Sequence, residues 1–434
     1  MKRVLIITYY WPPSGGAGVQ RWLKFAKYLP QYGWQPVIFT PENPEAPVLD
    51  DSLLKDIPEE VEVIKNKVWE PYNFYKFFLG KTKKEKIQTG FISESGQQSR
   101  LKENIAVWVR GNLFIPDARR FWIRPSVKLL SKYLSENHID AIVSTGPPHS
   151  THLIALGLKK KFPRIPWIAD FRDPWTNIDF YKELKLTHWA DKKHRKLEKK
   201  VLQQANKVVT VSRSWGKELE ALGAKQVAVI TNGYDETDFE EQAVAKTNKI
   251  SIAHIGSISP NRNPVIFWDA LSMLEKKLGI KQLNESLEIH LIGNVDHSVK
   301  QTVEYLNLQS VVSYPGHISH NEVAAYQQKA HYLLLAINDA PNAKGVLPGK
   351  IFEYIASGTP IIGVGPEDGD AAVILNDTGA GIMFNDAQQL YLYLYNCLNG
   401  TAEVKQRNDA IIAGFSRNCL TEKMVNLFEQ FETT

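Results

Sequence analysis

A chain of 434 residues, 43% hydrophobic and 23% charged, is long enough for two or three cores and too apolar to remain disordered. Its net charge of +5 suits anionic ligands or an anionic surface but is too small to argue for nucleic acid. With two cysteines, Cys397 and Cys419, a disulfide framework is not expected and a cytoplasmic setting is; no apolar run reaches the roughly 18 residues of a membrane span.

The first element is VLIIT (4–8). Its MKR flank imitates a signal peptide, but the apolar run is short and no small-residue cleavage site follows, so it reads as a strand. YYWPPSGGAGVQRW (9–22) is a glycine-rich turn opening a helix over 17–29. In that helix Val19, Leu23, Phe25, Ala26 and Leu29 are expected inside, with Arg21, Lys24 and Lys27 outside. PVIFT (36–40) is the next strand. Residues 69–125 break the rhythm with aromatics among Lys and Arg, as either a solvated insertion or an acceptor-side or membrane-surface element. AIVST (141–145), WIAD (167–170) and VVTVS (208–212) follow as strands. The basic helix at 191–204 reads as a wet face.

A polar stretch, EEQAVAKTNK (240–249), precedes a second series: ISIAHIG (250–256), EIHLIG (288–293), VVSYPG (311–316), HYLLLAI (331–337) and PIIGVG (360–365). Short runs rich in Val, Ile and Leu that alternate with helical patterns indicate βαβ units and parallel sheets covered on both faces. The reading is an α/β chain with two doubly wound, Rossmann-like domains, 1–245 and 246–415. An amphipathic tail, 416–434, carries Met424, Leu427, Phe428 and Phe431 and is expected to cross back to the first domain.

Gly16 and Gly18 form only half of a dinucleotide fingerprint, since the sixth position is Arg21 and no acidic residue ends PVIFT. A glycine pair before a helix start still lets a phosphate or sugar approach the backbone, or makes a plain tight turn. His149 and His152 flank a helix start after a Gly-Pro-Pro turn and have no metal-ligand companions. WIADFRDPW delivers Asp170, Arg172 and Asp173 into one turn after a strand, where a doubly wound sheet meets its ligand; a local salt bridge is the plainer reading. Arg262 stands in the loop after ISIAHIG, placed for a phosphate or simply exposed. In KGVLPGKIFEYIASGTP, Lys350 and Glu353 share one face of a helix start. A lysine at a helix N-terminus suits a pyrophosphate, and a glutamate one turn on suits vicinal ribose hydroxyls. EDGD (367–370) contains a D-x-D pair, but it trails a late strand and is not read as a metal site.

The order of YYWPPSGGAGVQR, DFRDPW, VITNGYDETDF, HIGSIS, HLIGN, YPGHIS and LPGKIFEYIASGTP, closed by an amphipathic helix, resembles the retaining GT-B glycosyltransferases of family 4 along nearly the whole chain. The resemblance implies two Rossmann-like domains facing across a cleft, with the nucleotide sugar mainly on the second and the acceptor on the first. Arg262 and Lys350 would hold the diphosphate, Glu353 the ribose, and His317 and Ile318 would lie against the base. Asn338 and Asp339 are candidates to read the sugar, and Gly15 and Gly16, counted with the donor-binding residues, would bring the N-terminal backbone to the donor or acceptor side. His149, Asp170, Arg172 and Asp173 are acceptor-side candidates, and Arg262, Lys350, Asp170 and Asp173 form the candidate catalytic set. No metal or cofactor is expected. The family often has two glutamates seven residues apart; Glu353 matches the second, and Gly345 stands at the first.

The expected activity is therefore metal-independent hexosyl transfer to a hydroxyl of a glycan or lipid-linked acceptor. Bacterial polysaccharide, glycolipid or glycoprotein glycan assembly is the expected setting. The location would be cytoplasmic, with peripheral contact at an anionic inner membrane face and no nucleic-acid partner. A sugar-nucleotide epimerase and a non-catalytic nucleotide-sugar-binding protein are the competing readings.

Overall fold

The structure, a computed structural model, describes residues 1–45, 48–69, 97–239, 246–316, 318, 320–337, 340–403 and 405–431. It divides into two compact units. The first holds strands β1 (Lys2–Ile7), β2 (Trp34–Pro41), β3 (Glu62–Asn66), β4 (Ala141–Gly146), β5 (Trp167–Phe171), β6 (Lys207–Thr210) and β7 (Val227–Val229). They form one parallel sheet in the order β3-β2-β1-β4-β5-β6-β7. The pleat's period of two explains the double covering. Leu5, Ile7, Val37, Phe39 and Ile142 pack to one face against Trp122, Leu130 and Ile154. Val4, Ile6, Ile38, Val143 and Ile168 pack to the other against Val19, Trp22 and Leu23.

The second unit holds β8 (Ile250–Ile255), β9 (Leu287–Ile292), β10 (Val312–Gly316), β11 (Tyr332–Ala336), β12 (Ile361–Val364) and β13 (Gly381–Phe384). Its parallel order is β10-β9-β8-β11-β12-β13. Strand order reverses between β1 and β4 in the first sheet and between β8 and β11 in the second. Ligands of doubly wound sheets bind at such reversals, beyond the carboxyl ends of the strands. β3, β7 and β13 escape a reading by apolar runs because they are short and wholly or partly half-buried.

Three local expectations change. Arg21 and Lys24 are not on the wet face of the helix Ala17–Tyr28 but are 1% and 4% exposed. Each has a buried acid to meet: Arg21 pairs with Asp170 at 3.0 Å and Lys24 with Asp56 at 2.9 Å. The end of the irregular region is core, since Trp122 is fully buried and stacks on Phe39 at 5.2 Å. Of the 69–125 region, 70–96 lies outside the described residues, while Gln97–Leu113 is helical and a helix over Arg120–Glu136 follows. The basic helix His188–Gln204 buries His194, Glu198, Val201 and Leu202, so it is wet on one side only.

The helix Arg417–Glu429 packs in the first unit. Met424 and Phe428 are buried there, Phe428 lies 4.8 Å from Trp34, and Tyr32 Oη donates to Asn418 Oδ1 at 2.7 Å. Asn232–Ser416 belongs to the second unit. Tyr234 N–H donates to the Phe415 carbonyl at 3.2 Å, which ties the segment before the polar stretch to the second unit and sets the division near Thr231.

Candidate active site

In the first unit, the loops after β1 and β4 meet at the reversal. Arg172 joins them: Nη1 donates to the Gly18 carbonyl at 2.7 Å and Nη2 to the Pro147 carbonyl at 2.6 Å. Gly15 is packed under the next loop, its N–H donating to the Val48 carbonyl at 2.8 Å. Gly16 caps the helix Ala17–Tyr28 at φ 90°, a left-handed value that favours glycine, and is exposed.

Asp170 does not face an acceptor. It is fully buried at the end of β5 and accepts from Arg21 Nε and Nη2 at 3.1 and 3.0 Å, Trp22 Nε1 at 2.6 Å and Thr145 Oγ1 at 2.9 Å. Three of those donors meet Oδ2 and one meets Oδ1, so the carboxylate clamps the helix after β1 to the β4 and β5 ends. Arg172 is likewise committed to backbone carbonyls. Asp173, in the next position, is half-buried.

His149 lies flat on Trp175, ring centroids 4.7 Å apart, and His152 lies on Phe171 at 4.4 Å. Ser144 Oγ accepts from Trp167 Nε1 at 2.9 Å and shares a hydrogen bond with His152 Nδ1 at 2.8 Å. Burial, with neighbouring His152 adding to it, pushes His149 well below the usual histidine range. Burial drives His152 down to about 3 despite the opposing Asp170 carboxylate. Both rings are neutral, so neither supplies a fixed cation.

In the second unit, β8 delivers His254 and Ile255 and then Gly256, whose N–H donates to the Ile292 carbonyl at 2.8 Å. Gly256 has φ 121°, and a Cβ there would stand 2.8 Å from Lys350 Nζ. Only glycine permits both this backbone and the amine above it. Lys350 opens the helix Lys350–Ser357, which ends on Gly358 in a left-handed cap. Tyr354 bolts that helix to β8: its Oη accepts from Ile255 N–H at 2.8 Å and donates to the Ile255 carbonyl at 3.3 Å.

Lys350 Nζ lies 3.0 Å from His254 Nε2. Burial, assisted by the positive charge of Arg262 and opposed by Glu353, brings the amine down to about 7. Arg262 ends the turn Pro260–Arg262, and Glu353 is half-buried one turn beyond Lys350. Ile318 is half-buried against the core beneath this helix. His317, Asn338 and Asp339 lie outside the described residues. Gly345 is buried in the turn Ala343–Gly345, and no carboxylate stands at that position. The arrangement gathers Lys350 and Arg262 with a helix start that has no side-chain cap at a strand-order reversal, which suits an anion with several oxygens.

The model of Glycosyltransferase Family 4 matches residues 83–238, and that of Glycosyl transferases group 1 matches residues 235–416. The chain belongs to the GT-B glycosyltransferases, family 4. The fold of this glycosyltransferase is shared with the sucrose-phosphate synthase of Thermosynechococcus elongatus, at 16% identity over all of both chains and a TM-score of 0.65. HepE of Anabaena, solved with UDP-glucose, is 14% identical over 99% of this chain and 100% of its own, with a TM-score of 0.61. The UDP-forming trehalose-phosphate synthase of Burkholderia vietnamiensis is 11% identical over 99% and 100%, with a TM-score of 0.64. No curated protein matches the chain in sequence.

In the glycosyltransferase, the acidic cluster at 367–370 has other partners. Asp368 pairs with Lys344, and Glu367 accepts from the Asn385 N–H at 3.3 Å. Among the described residues, no three His, Cys, Asp or Glu side chains converge as a metal set. His254 and Tyr354 escape a sequence reading because a polar residue inside a buried strand, or a tyrosine in an apolar helix, looks like ordinary core. The one linear signal is the glycine that follows His254.

Proposed function

We propose that this glycosyltransferase moves a hexose from a nucleoside diphosphate sugar to a hydroxyl acceptor with retention of configuration. The carrying observation is the Lys350 amine held over Gly256 at the β8–β11 reversal, with Arg262 and Glu353 beside it. Lys350 and Arg262 stabilise the departing diphosphate in place of a metal, and Glu353 takes the ribose hydroxyls. A departing phosphate oxygen removes the acceptor proton, so the protein supplies position and charge and no strong base. That HepE was solved with UDP-glucose supports a nucleotide sugar as donor. Ile318, with His317, is the proposed base-side wall, and Asn338 the proposed reader of the sugar. The loops of the first unit, with His149 and Asp173, are the proposed acceptor side.

Thermal-shift screening with UDP-, GDP- and dTDP-sugars tests the donor, and proton NMR of the product's anomeric signal tests retention. Stabilisation by none of them removes the donor reading. Isomerised nucleotide sugar without transfer would make the protein an epimerase, and binding without turnover a non-catalytic binder.

The amine's depressed titration sets a pH dependence. A diphosphate binds the charged amine best, so above about pH 7 the free protein must take up a proton on binding. Affinity for a nucleoside diphosphate is expected to be level below that pH and to fall by up to roughly tenfold per unit above it. For folding the sign is opposite: the cost of burying the charged amine is greatest below pH 7 and fades as pH rises toward the ordinary lysine value. Calorimetry between pH 6 and 9, in buffers of different ionisation heat, measures both affinity and proton uptake. A flat affinity would refute the role of this amine.

We further propose a lipid-linked acceptor met at an anionic membrane face, as in polysaccharide or glycolipid assembly. Trp69 and Phe121 are 63% and 43% exposed, in edge contact at 4.9 Å, with Arg120 over the Phe121 ring and Arg124 exposed nearby. No described helix is long and apolar enough to cross a membrane. Amphipathic surfaces of this kind bind anionic lipid in a salt-sensitive way. Flotation with phosphatidylglycerol vesicles is expected at low salt and is expected to weaken in Phe121→Asp. Absence of binding at low salt would refute the surface.

A further inference from the structure

His254 lies inside β8 and is 3% exposed, and its two ring nitrogens meet different chemistry. Nδ1 is 2.9 Å from the Leu334 carbonyl, which can only accept. Nδ1 therefore carries the ring proton, and Nε2 is left as a lone pair. That lone pair faces Lys350 Nζ at 3.0 Å, and the amine donates to it. A backbone carbonyl on β11 thus decides which way the ring can serve the lysine. Burial and the adjacent Lys350 charge both hold the ring well below the usual histidine range, so it stays neutral and acceptor-only on that side.

Among the described residues, the other charged or titratable groups around the amine are Arg262, from the turn after β8, and Glu353 and Tyr354, from its own helix. Arg262 repels it and Glu353 attracts it. Tyr354 is occupied by the Ile255 backbone. We infer that His254 is the positioning residue of the donor site: locked by Leu334, it holds the Lys350 amine above Gly256 and stabilises its charged form for a diphosphate. The inference rests on the donor reading proposed above.

Two variants separate the two nitrogens. Glutamine reaches the Nε2 position and can still accept from Lys350, whereas asparagine reaches only Nδ1 and can still donate to Leu334. Pulse acetylation of Lys350 across pH, read by mass spectrometry, follows the amine directly and needs no ligand. The midpoint is expected near 7 in the unaltered protein. It should stay within about half a unit in His254→Gln and fall by about one unit or more in His254→Asn. UDP affinity at pH 7 is expected to drop roughly tenfold in His254→Asn and to be kept in His254→Gln. Equal midpoints in His254→Asn and the unaltered protein, or equal falls in both variants, would overturn the inference. Should His254→Asn not fold, the nitrogen-15 spectrum of the His254 ring decides instead: a proton on Nδ1 is expected, and a proton on Nε2 refutes the arrangement. If the unaltered protein fails to bind any nucleoside diphosphate, the donor reading falls, while the acetylation midpoints still decide what His254 does to Lys350.

Discussion

Lys350→Ala is expected to lower turnover at least about a hundredfold while leaving the fold intact. The amine is one of two cations at the proposed diphosphate site, and a charge-assisted contact that strengthens as the diphosphate departs is worth about 2–4 kcal/mol. Stability should not follow activity. The lysine is charged at a burial cost, as its fall to about 7 shows, so removing it relieves that cost. Arg262→Ala is expected to produce a similar loss of turnover for a related reason. It removes the second cation, and it also relieves the repulsion on Lys350, whose titration should move back up toward the ordinary lysine value. A steady-state assay with a donor from the thermal-shift screen measures turnover, and urea melts measure stability. Near-normal turnover in either folded variant would end the assignment of that residue to the diphosphate.

The second large effect lies in the first unit. Asp170→Ala is expected to cost about 3–5 kcal/mol of stability, because it removes the carboxylate paired with a buried guanidinium. Arg21 is 1% exposed, and its bonds to the carbonyls of Ile230 and Thr231, at 2.9 and 2.8 Å, do not replace the lost charge of that carboxylate. Trp22 Nε1 and Thr145 Oγ1 would lose their acceptor as well. The urea midpoint should fall while the slope of the transition is kept. If the variant melts like the unaltered protein but loses transfer, Asp170 is a catalytic group after all, and its four hydrogen bonds are not its main use.

The two sheets are legible from local pattern. A strand covered on both faces needs apolar residues at every position, so VLII in β1 and LLLA in β11 declare themselves. The helix start at Lys350 and its end at Gly358 are equally local, since capping and the placing of a cation involve residues within a turn of each other. β3, with a half-buried EVIKN, and the helix Arg120–Glu136, which hides Trp122 behind arginines, give weak signals. Their burial comes from neighbours distant in the chain.

Periodicity therefore carries the fold class, and motif order carries the family and a shortlist in which Lys350, Arg262 and Glu353 stand close together. What side chains do once the sheets close is a different matter. Arg21 reads as a surface cation until Asp170 arrives from 149 residues away and makes burial tolerable. Asp170 reads as an acceptor-side acid until that same arginine claims it. His254 and Lys350 are 96 residues apart and become partners because β8 and β11 lie side by side where the strand order reverses. Hydrophobic pattern and capping act over a few residues and are written along the chain. Ion pairing and tautomer choice depend on which groups meet in space, and the topology of the sheet makes those introductions.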